Sequence, residues 1–270
     1  MLIQCIDMGR RIVNGPGLRA KTEAMSERTK PRAPQSPLVW ERTEPPTRPA
    51  PGPLSRERIV RAAMGLADGE GLASVSLRKV GAALDAGPMR LYGYLSTKEE
   101  LLELMVDAVY GEILAAGPIE GDWREALKGM AHRTRQAARA HSWFVDLLGG
   151  RPNLGPHALR YLEASLAALS RAPGFENIDD AMQAFRTVHA YVIGALRSEA
   201  SELRAELETG MDEAAWQTAT APYILRQLAT GQFPMLAKMV REAGDPSPDV
   251  TFEAGLECVL DGIAARRAHR

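Results

Sequence analysis

From Leu54 onward, apolar residues recur three and four positions apart, and the polar positions between them carry the caps and stops of short helices. Ser55 is placed to cap a helix in which Ile59, Ala63, Leu66 and Ala67 share one face, and Gly69 and Gly71 provide its stop. Ser76 opens a second, short helix with Leu77, Val80 and Leu84 turned inward. Asp85-Ala86-Gly87 makes a tight turn, and Pro88 suits the first turn of a third helix, which is brief, with Leu91 and Leu95 one turn apart. Ser96-Thr97-Lys98-Glu99 reads as a capping box, Ser96 as N-cap and Glu99 at N3. It opens a longer helix carrying Leu101, Met105, Ala108 and Ile113 on one side, up to about Gly117. The pattern then predicts helices over 123–140, 142–149, 156–170, 179–208, 212–230, 235–243 and 251–267. Asp122, Asp179 and Asp212 serve as their N-terminal signals, and Pro152, Pro173 and the run from Gly244 to Pro248 as breaks. No sustained period-two alternation and no Asn-Gly or Asp-Gly hairpin between β-branched runs interrupts this pattern. The expected fold class is all-α.

The chain before Leu54 is different. Nine of the 18 prolines fall there, and proline both removes a donor and restricts its neighbour, so this stretch is neither regular helix nor central strand. It reads as a Pro/Arg-rich, largely disordered arm over 1–53, with Met8 and Met25 available as later starts. Two roles fit: an inert leader, or an arm whose Arg32, Arg42 and Arg48 touch DNA phosphates or enter a minor groove. On either reading, deleting 1–50 is expected to leave the fold intact.

Charge sharpens the choice of function. The formal net charge is -1, yet residues 1–54 hold nine Lys+Arg against five Asp+Glu, and residues 55–98 hold seven against four. The remainder is acidic, with 17 against 25. A basic front on an acidic body points to a polyanion met by the front. An architectural DNA-binding protein would be basic throughout. No run approaches the ~18 apolar residues of a membrane span, and the opening residues lack the pattern of a secretory signal, so a cytoplasmic location without membrane partners is expected. Cys5 and Cys258 lie at opposite ends of the chain and offer neither a disulfide framework nor a zinc cluster. The five histidines (132, 141, 157, 189 and 269) include no pair at i, i+4. HExxH, GxSxG, GxxxxGK and DDxxD are all absent, so an enzyme, a metal and a cofactor are not expected.

Three short helices with a three-residue turn between the second and third make a helix-turn-helix, here about 76–95 within a headpiece over 54–97. The residues themselves carry a resemblance. SLRKVGAALDAGPMRLYGYLSTKEELLELMVDA (76–108), with its lead-in LSRERIVRAAMGLADGEGLASV (54–75), resembles the DNA-binding segment of the tetracycline-repressor (TetR/AcrR) family of bacterial regulators. HSWFVDLLGGRPNLGPHALRYLEASLAAL (141–169) and FEAGLECVLDGIAA (252–265) resemble the middle and the closing helix of its C-terminal domain. The resemblance covers roughly 54–270 and departs in two places: Asp85 stands where the family commonly has glycine, and Gly93-Tyr94 replaces an aromatic-His or His-Phe pairing.

The resemblance implies a homodimeric transcriptional regulator, a repressor on a palindromic operator of double-stranded DNA, released by a small-molecule effector. An activator, or a repressor without an effector, is the alternative. The third helix becomes the recognition helix, with Pro88, Met89 and Arg90 at the end that approaches base edges. Arg90 suits a guanine through O6 and N7 or, equally, a plain phosphate; Met89 suits a thymine methyl. Ser76, Arg78, Tyr92, Tyr94 and Lys98 fall at backbone-contact positions. For Tyr92 the alternative is packing against the first helix. Residues 98–270 are then a helical bundle for effector binding and dimerisation. Gly194, mid-helix, suggests a close helix approach. Trp143, Phe144, Phe185, Tyr191, Trp216 and Tyr223 are the aromatics available to a pocket, and His189 reads as a core histidine. Leu147 aligns where magnesium–tetracycline binders place a histidine, which argues against that effector.

Overall fold

The computed structural model describes residues 38–45, 54–119, 121–244 and 246–268 of the 270-residue chain. Arg32, Arg48, Cys5, His269, both later Met starts and most of the expected arm lie outside the described residues. The described residues are helical, with no strand among them.

The helix-turn-helix forms where the caps place it. Helix α1 (Arg56–Glu70) starts on Ser55, whose side chain accepts the Arg58 N–H at 3.2 Å, and stops at Gly71, where φ is +80°. Helix α2 (Leu77–Ala83) starts on Ser76, which accepts the Lys79 N–H at 3.2 Å. Asp85 then takes φ +50°, the left-handed conformation. Glycine adopts it freely and aspartate tolerates it, which is why an aspartate can stand at this turn. Across the turn the Ala86 N–H bonds to the Gly81 carbonyl at 2.8 Å. A Cβ on Gly81 would stand 2.6 Å from the Ala86 oxygen, so α2 can close on this turn only with glycine there. Helix α3 (Pro88–Leu91) follows, and α4 (Lys98–Ala115) leads out. Ile59, Val80, Leu91, Leu95, Leu101 and Met105 are fully buried.

The capping box of α4 is shifted by one residue from the expected one. Thr97 Oγ1, rather than Ser96, accepts an N–H, that of Glu100 at 3.2 Å, and Glu100 rather than Glu99 reaches back, to the Ser96 N–H at 2.6 Å. Glutamates stand at both positions, and the one that also finds a cation takes the role.

Two compact units divide the described chain. The first runs through Tyr110 and takes in Gly149–Leu159, so the division falls inside α4 rather than at residue 97. What ties 149–159 to this unit is Asp107, 3% exposed on α4. Its Oδ1 accepts the N–H groups of His157 and Ala158 at 2.9 and 2.8 Å, at the start of helix α7 (Pro156–Ser170), and its other oxygen meets His157 Nδ1 at 2.9 Å. Gly155 lies against this carboxylate with no room for a Cβ. Asn153 donates to the Glu103 carbonyl at 2.8 Å and accepts the Gly155 N–H at 2.8 Å.

The second unit comprises α5 (Trp123–Ala140), α6 (Phe144–Leu147), the rest of α7, α8 (Ile178–Thr209), α9 (Glu213–Ala229), α10 (Pro234–Glu242) and α11 (Pro248–Ala268). Asp122 makes a full capping box with Glu125, and Asp212 caps α9. The cap of α8 is Asn177, not Asp179; the Asn177 side chain accepts the Asp179 N–H at 2.9 Å. Helix α8 packs along α5 and α11. The close approach is at Gly255, against the Tyr191 ring, whose hydroxyl donates to the Phe252 carbonyl at 2.7 Å. Gly194 faces open space within the chain and makes no such approach. No described helix is long and apolar enough to cross a membrane.

Candidate nucleic-acid interface

Helix α3 is anchored by one residue and exposes its neighbours. Leu91 is fully buried, whereas Met89 is 81% exposed, Tyr92 51% exposed, and Pro88 and Arg90 are exposed as well. A helix of one turn needs this arrangement, since a single inward leucine fixes it and the rest of its surface is left for a partner. Tyr92 thus keeps about half of its surface exposed.

At the start of α2, Ser76 is half-buried and Arg78 exposed. The Ser76 oxygen is engaged as a cap acceptor, which leaves its O–H to donate. Lys98 is half-exposed in the first turn of α4. Other cations of the headpiece are committed elsewhere: Arg61 pairs with Glu57, Lys79 with Glu70 at 2.6 Å, and Arg56 Nε donates to the Tyr94 carbonyl at 3.1 Å.

Two expected DNA contacts are corrected. Tyr94 is 6% exposed and its hydroxyl donates to the Leu54 carbonyl at 2.8 Å, so it closes the headpiece core instead of facing a phosphate. Arg42 does not reach outward. Its Nη1 donates to Ser96 Oγ at 2.7 Å and its Nη2 pairs with the Glu100 carboxylate. The segment around it is packed, Val39 being 2% exposed. Deleting 1–50 would thus remove Val39 and Arg42 with the contacts they make to the headpiece. Burial works against the Glu100 carboxylate, but Arg42 and the Ser96 N–H outweigh it and hold its pKa below the ordinary value. Sequence reasoning missed this segment because its prolines exclude helix and strand but not docking; the departure from the resemblance at Gly93 was the available signal.

In the second unit a cavity of about 10 Å³ lies among Met130, Thr134, Tyr161, Phe185, Val188 and His189. Thr134 Oγ1 donates to the Met130 carbonyl at 2.8 Å and lies 3.2 Å from the Tyr161 hydroxyl, which is left to donate to it. Burial pushes the Tyr161 phenol up to about 12 and lowers His189 below its ordinary value, so both are neutral near pH 7. The rings of Tyr161 and Phe185 meet edge-on at 6.3 Å, and those of Phe185 and His189 are 5.4 Å apart. Trp143 and Phe144 are core, while Trp216 and Tyr223 are 53% and 56% exposed.

Residues 117–267 match the family profile described as the tetracyclin repressor-like C-terminal domain. The chain belongs to the tetracycline-repressor family. Consistent with this, it is 36% identical to the transcriptional repressor DrrR1 of Streptomyces coeruleorubidus over 86% of both proteins. It superposes on apo ActR of Streptomyces coelicolor with a TM-score of 0.66, at 27% identity over 82% of this chain and 99% of that one. ActR in complex with actinorhodin gives a TM-score of 0.61 at 26% identity, over 80% and 99% of the two chains. This tetracycline-repressor family member is a DNA-binding transcriptional repressor, in a family of regulators rather than enzymes.

Proposed function

We propose that the protein acts as a homodimer on a palindromic operator, reading bases with the exposed end of α3, and that a small apolar or amphipathic effector releases it. The carrying observation is the outward display of Pro88, Met89 and Arg90 on a helix pinned by Leu91. Arg90 is assigned to a guanine edge, Met89 to a thymine methyl, and Ser76, Arg78, Tyr92 and Lys98 to phosphates. One headpiece offers too small an interface for tight specific binding, and two on half-sites about one turn apart supply it. The surface of α9 and α10 supports a second copy: neither helix has a buried residue, while Trp216, Tyr223, Met235 and Met239 stand exposed. Gly194, bare on α8, fits a close approach by that copy.

The effector site is assigned to the cavity beside Tyr161, Phe185 and His189. At about 10 Å³ it admits no more than a water molecule, so binding has to part the helices around it. The ActR complex with actinorhodin supports ligand binding in this fold.

Fluorescence anisotropy on DNA tiled across the gene's own upstream region, at two salt concentrations, tests the reading. Competitor-resistant binding to one palindromic tile is the expected result; weak binding to every tile, abolished by salt, would refute it. On that tile Arg90→Ala is expected to cost about 1–3 kcal/mol and relax base preference at one position, while Lys98→Ala weakens all sequences and lowers the salt slope by about one.

His189 adds a pH dependence. The unfolded chain takes up a proton near pH 6.5 that the buried imidazole refuses, so its share of stability is full above about pH 6.5 and falls as pH drops toward the lowered folded value. Thermal melts at about pH 7 and about pH 5.5 should show a smaller loss for His189→Gln than for the wild type. Equal losses would mean that the imidazole reaches solvent.

A further inference from the structure

Residues 38–45 meet the headpiece at four points. A turn closed by the Glu41 N–H on the Leu38 carbonyl, at 2.9 Å, presents Val39 inward. Glu44 accepts the Arg56 N–H at 3.3 Å, at the first residue of α1. Pro45 Cγ lies 3.2 Å from where a Cβ of Gly93 would stand. A side chain at position 93 would press on the space that Pro45 takes. The bare Gly93 and the strap are thus two sides of one packing solution.

The fourth point is electrostatic. The first turn of α4 carries Lys98 followed by Glu99 and Glu100. These three side chains alone sum to -1, an unsuitable balance for a surface that meets phosphate. Arg42 brings the sum to zero. It does so on Glu100, whose second contact is the Ser96 N–H at 2.6 Å, and both side chains of the pair are only about a quarter exposed, 23% and 24%. Glu99 is exposed and free to swing into solvent. Glu100 is fixed, so its charge is cancelled only where it stands.

We propose that residues 38–45 are a working part of the DNA-binding unit: a strap through which Arg42 cancels the fixed charge of Glu100, so that the start of α4 attracts phosphate. Arg42 is a positioning residue and contacts no DNA. The proposal rests on the assignment of Lys98 to a phosphate.

Phosphate attraction is independent of sequence, so an arbitrary labelled duplex of about 30 base pairs is a sufficient probe. Anisotropy with the full chain at about 50 mM and about 150 mM salt compares the wild type with Arg42→Gln, Glu100→Gln and the double variant. Circular dichroism melts accompany each. Arg42→Gln is expected to weaken binding about five- to tenfold at the lower salt, an uncancelled charge beside each of two phosphate sites. Glu100→Gln, which retains an acceptor for the Ser96 N–H, binds as well as the wild type or better. The double variant returns to within about twofold of the wild type, a rescue that a purely structural strap would not give.

Unchanged affinity in Arg42→Gln overturns the proposal, as does a folded double variant that stays as weak as Arg42→Gln. Should Arg42→Gln fail to fold, Glu100→Gln decides: retained or tighter binding supports cancellation, and weaker binding by a folded Glu100→Gln overturns it. A wild type that binds no duplex at either salt refutes the DNA reading and the strap together. The other adverse outcomes sink the strap alone.

Discussion

Replacing Asp107 by alanine is expected to lower the stability of the unit that holds the helix-turn-helix by about 2–4 kcal/mol. The carboxylate is 3% exposed and accepts three bonds, two from N–H groups in the first turn of α7 and one from the His157 ring. An ordinary cap contributes about 1 kcal/mol; here the N–H groups left behind are part-buried and the acceptor is charged. Urea denaturation followed by circular dichroism measures the loss. Asp107→Asn keeps the shape and one acceptor oxygen and should lose about half as much. A loss under about 0.5 kcal/mol for alanine would show that water replaces the cap at little cost.

The second large effect is expected at Arg135, on α5. Its side chain is 7% exposed, lies 4.3 Å over the Phe252 ring, and joins three helices. It donates through Nε to Glu199 on α8 at 2.8 Å, reaches the Pro248 carbonyl at 3.1 Å, and pairs with Asp249 at 2.9 Å. Arg135→Met keeps much of the apolar stem but leaves Glu199 with Arg139 alone, 3.5 Å away. Breaking a buried pair from one side costs about 3–5 kcal/mol, and the solvent that reaches Glu199 reduces this to about 2–4. Adding Glu199→Leu should recover most of the loss, because the stranded carboxylate, not the missing attraction, carries the penalty. If the double variant is no more stable than Arg135→Met, the guanidinium is held mainly by its stacking on Phe252.

Much of the helix-turn-helix was legible because its determinants are local. Ser55, Ser76, Pro88 and Gly71 act within a turn of where they stand, and Leu91 buried beside exposed Met89 and Arg90 is simply helical period. Tyr94 was misread for the opposite reason. Whether its hydroxyl meets solvent or the Leu54 carbonyl depends on a partner 40 positions away, which no local pattern encodes. The capping box slipped by one residue on the same ground: Ser96-Thr97 and Glu99-Glu100 are equivalent locally, and Arg42, more than 50 residues upstream, selects Glu100.

The sequence by itself determined that the chain from Leu54 onward folds as helices among the described residues, where most of those helices begin and end to within a few residues, and that its basic front carries a helix-turn-helix of the tetracycline-repressor kind. Those properties follow from periodicity, caps and charge, which act over a few residues and leave their mark in composition. The tertiary structure alone decided which polar groups stay available to a ligand. Asp107, Arg42 and Tyr94 look from the sequence like surface groups, and each is consumed by a partner far along the chain. A buried polar group must find such a partner or cost the fold more than it contributes, and only the packed chain determines which one it finds.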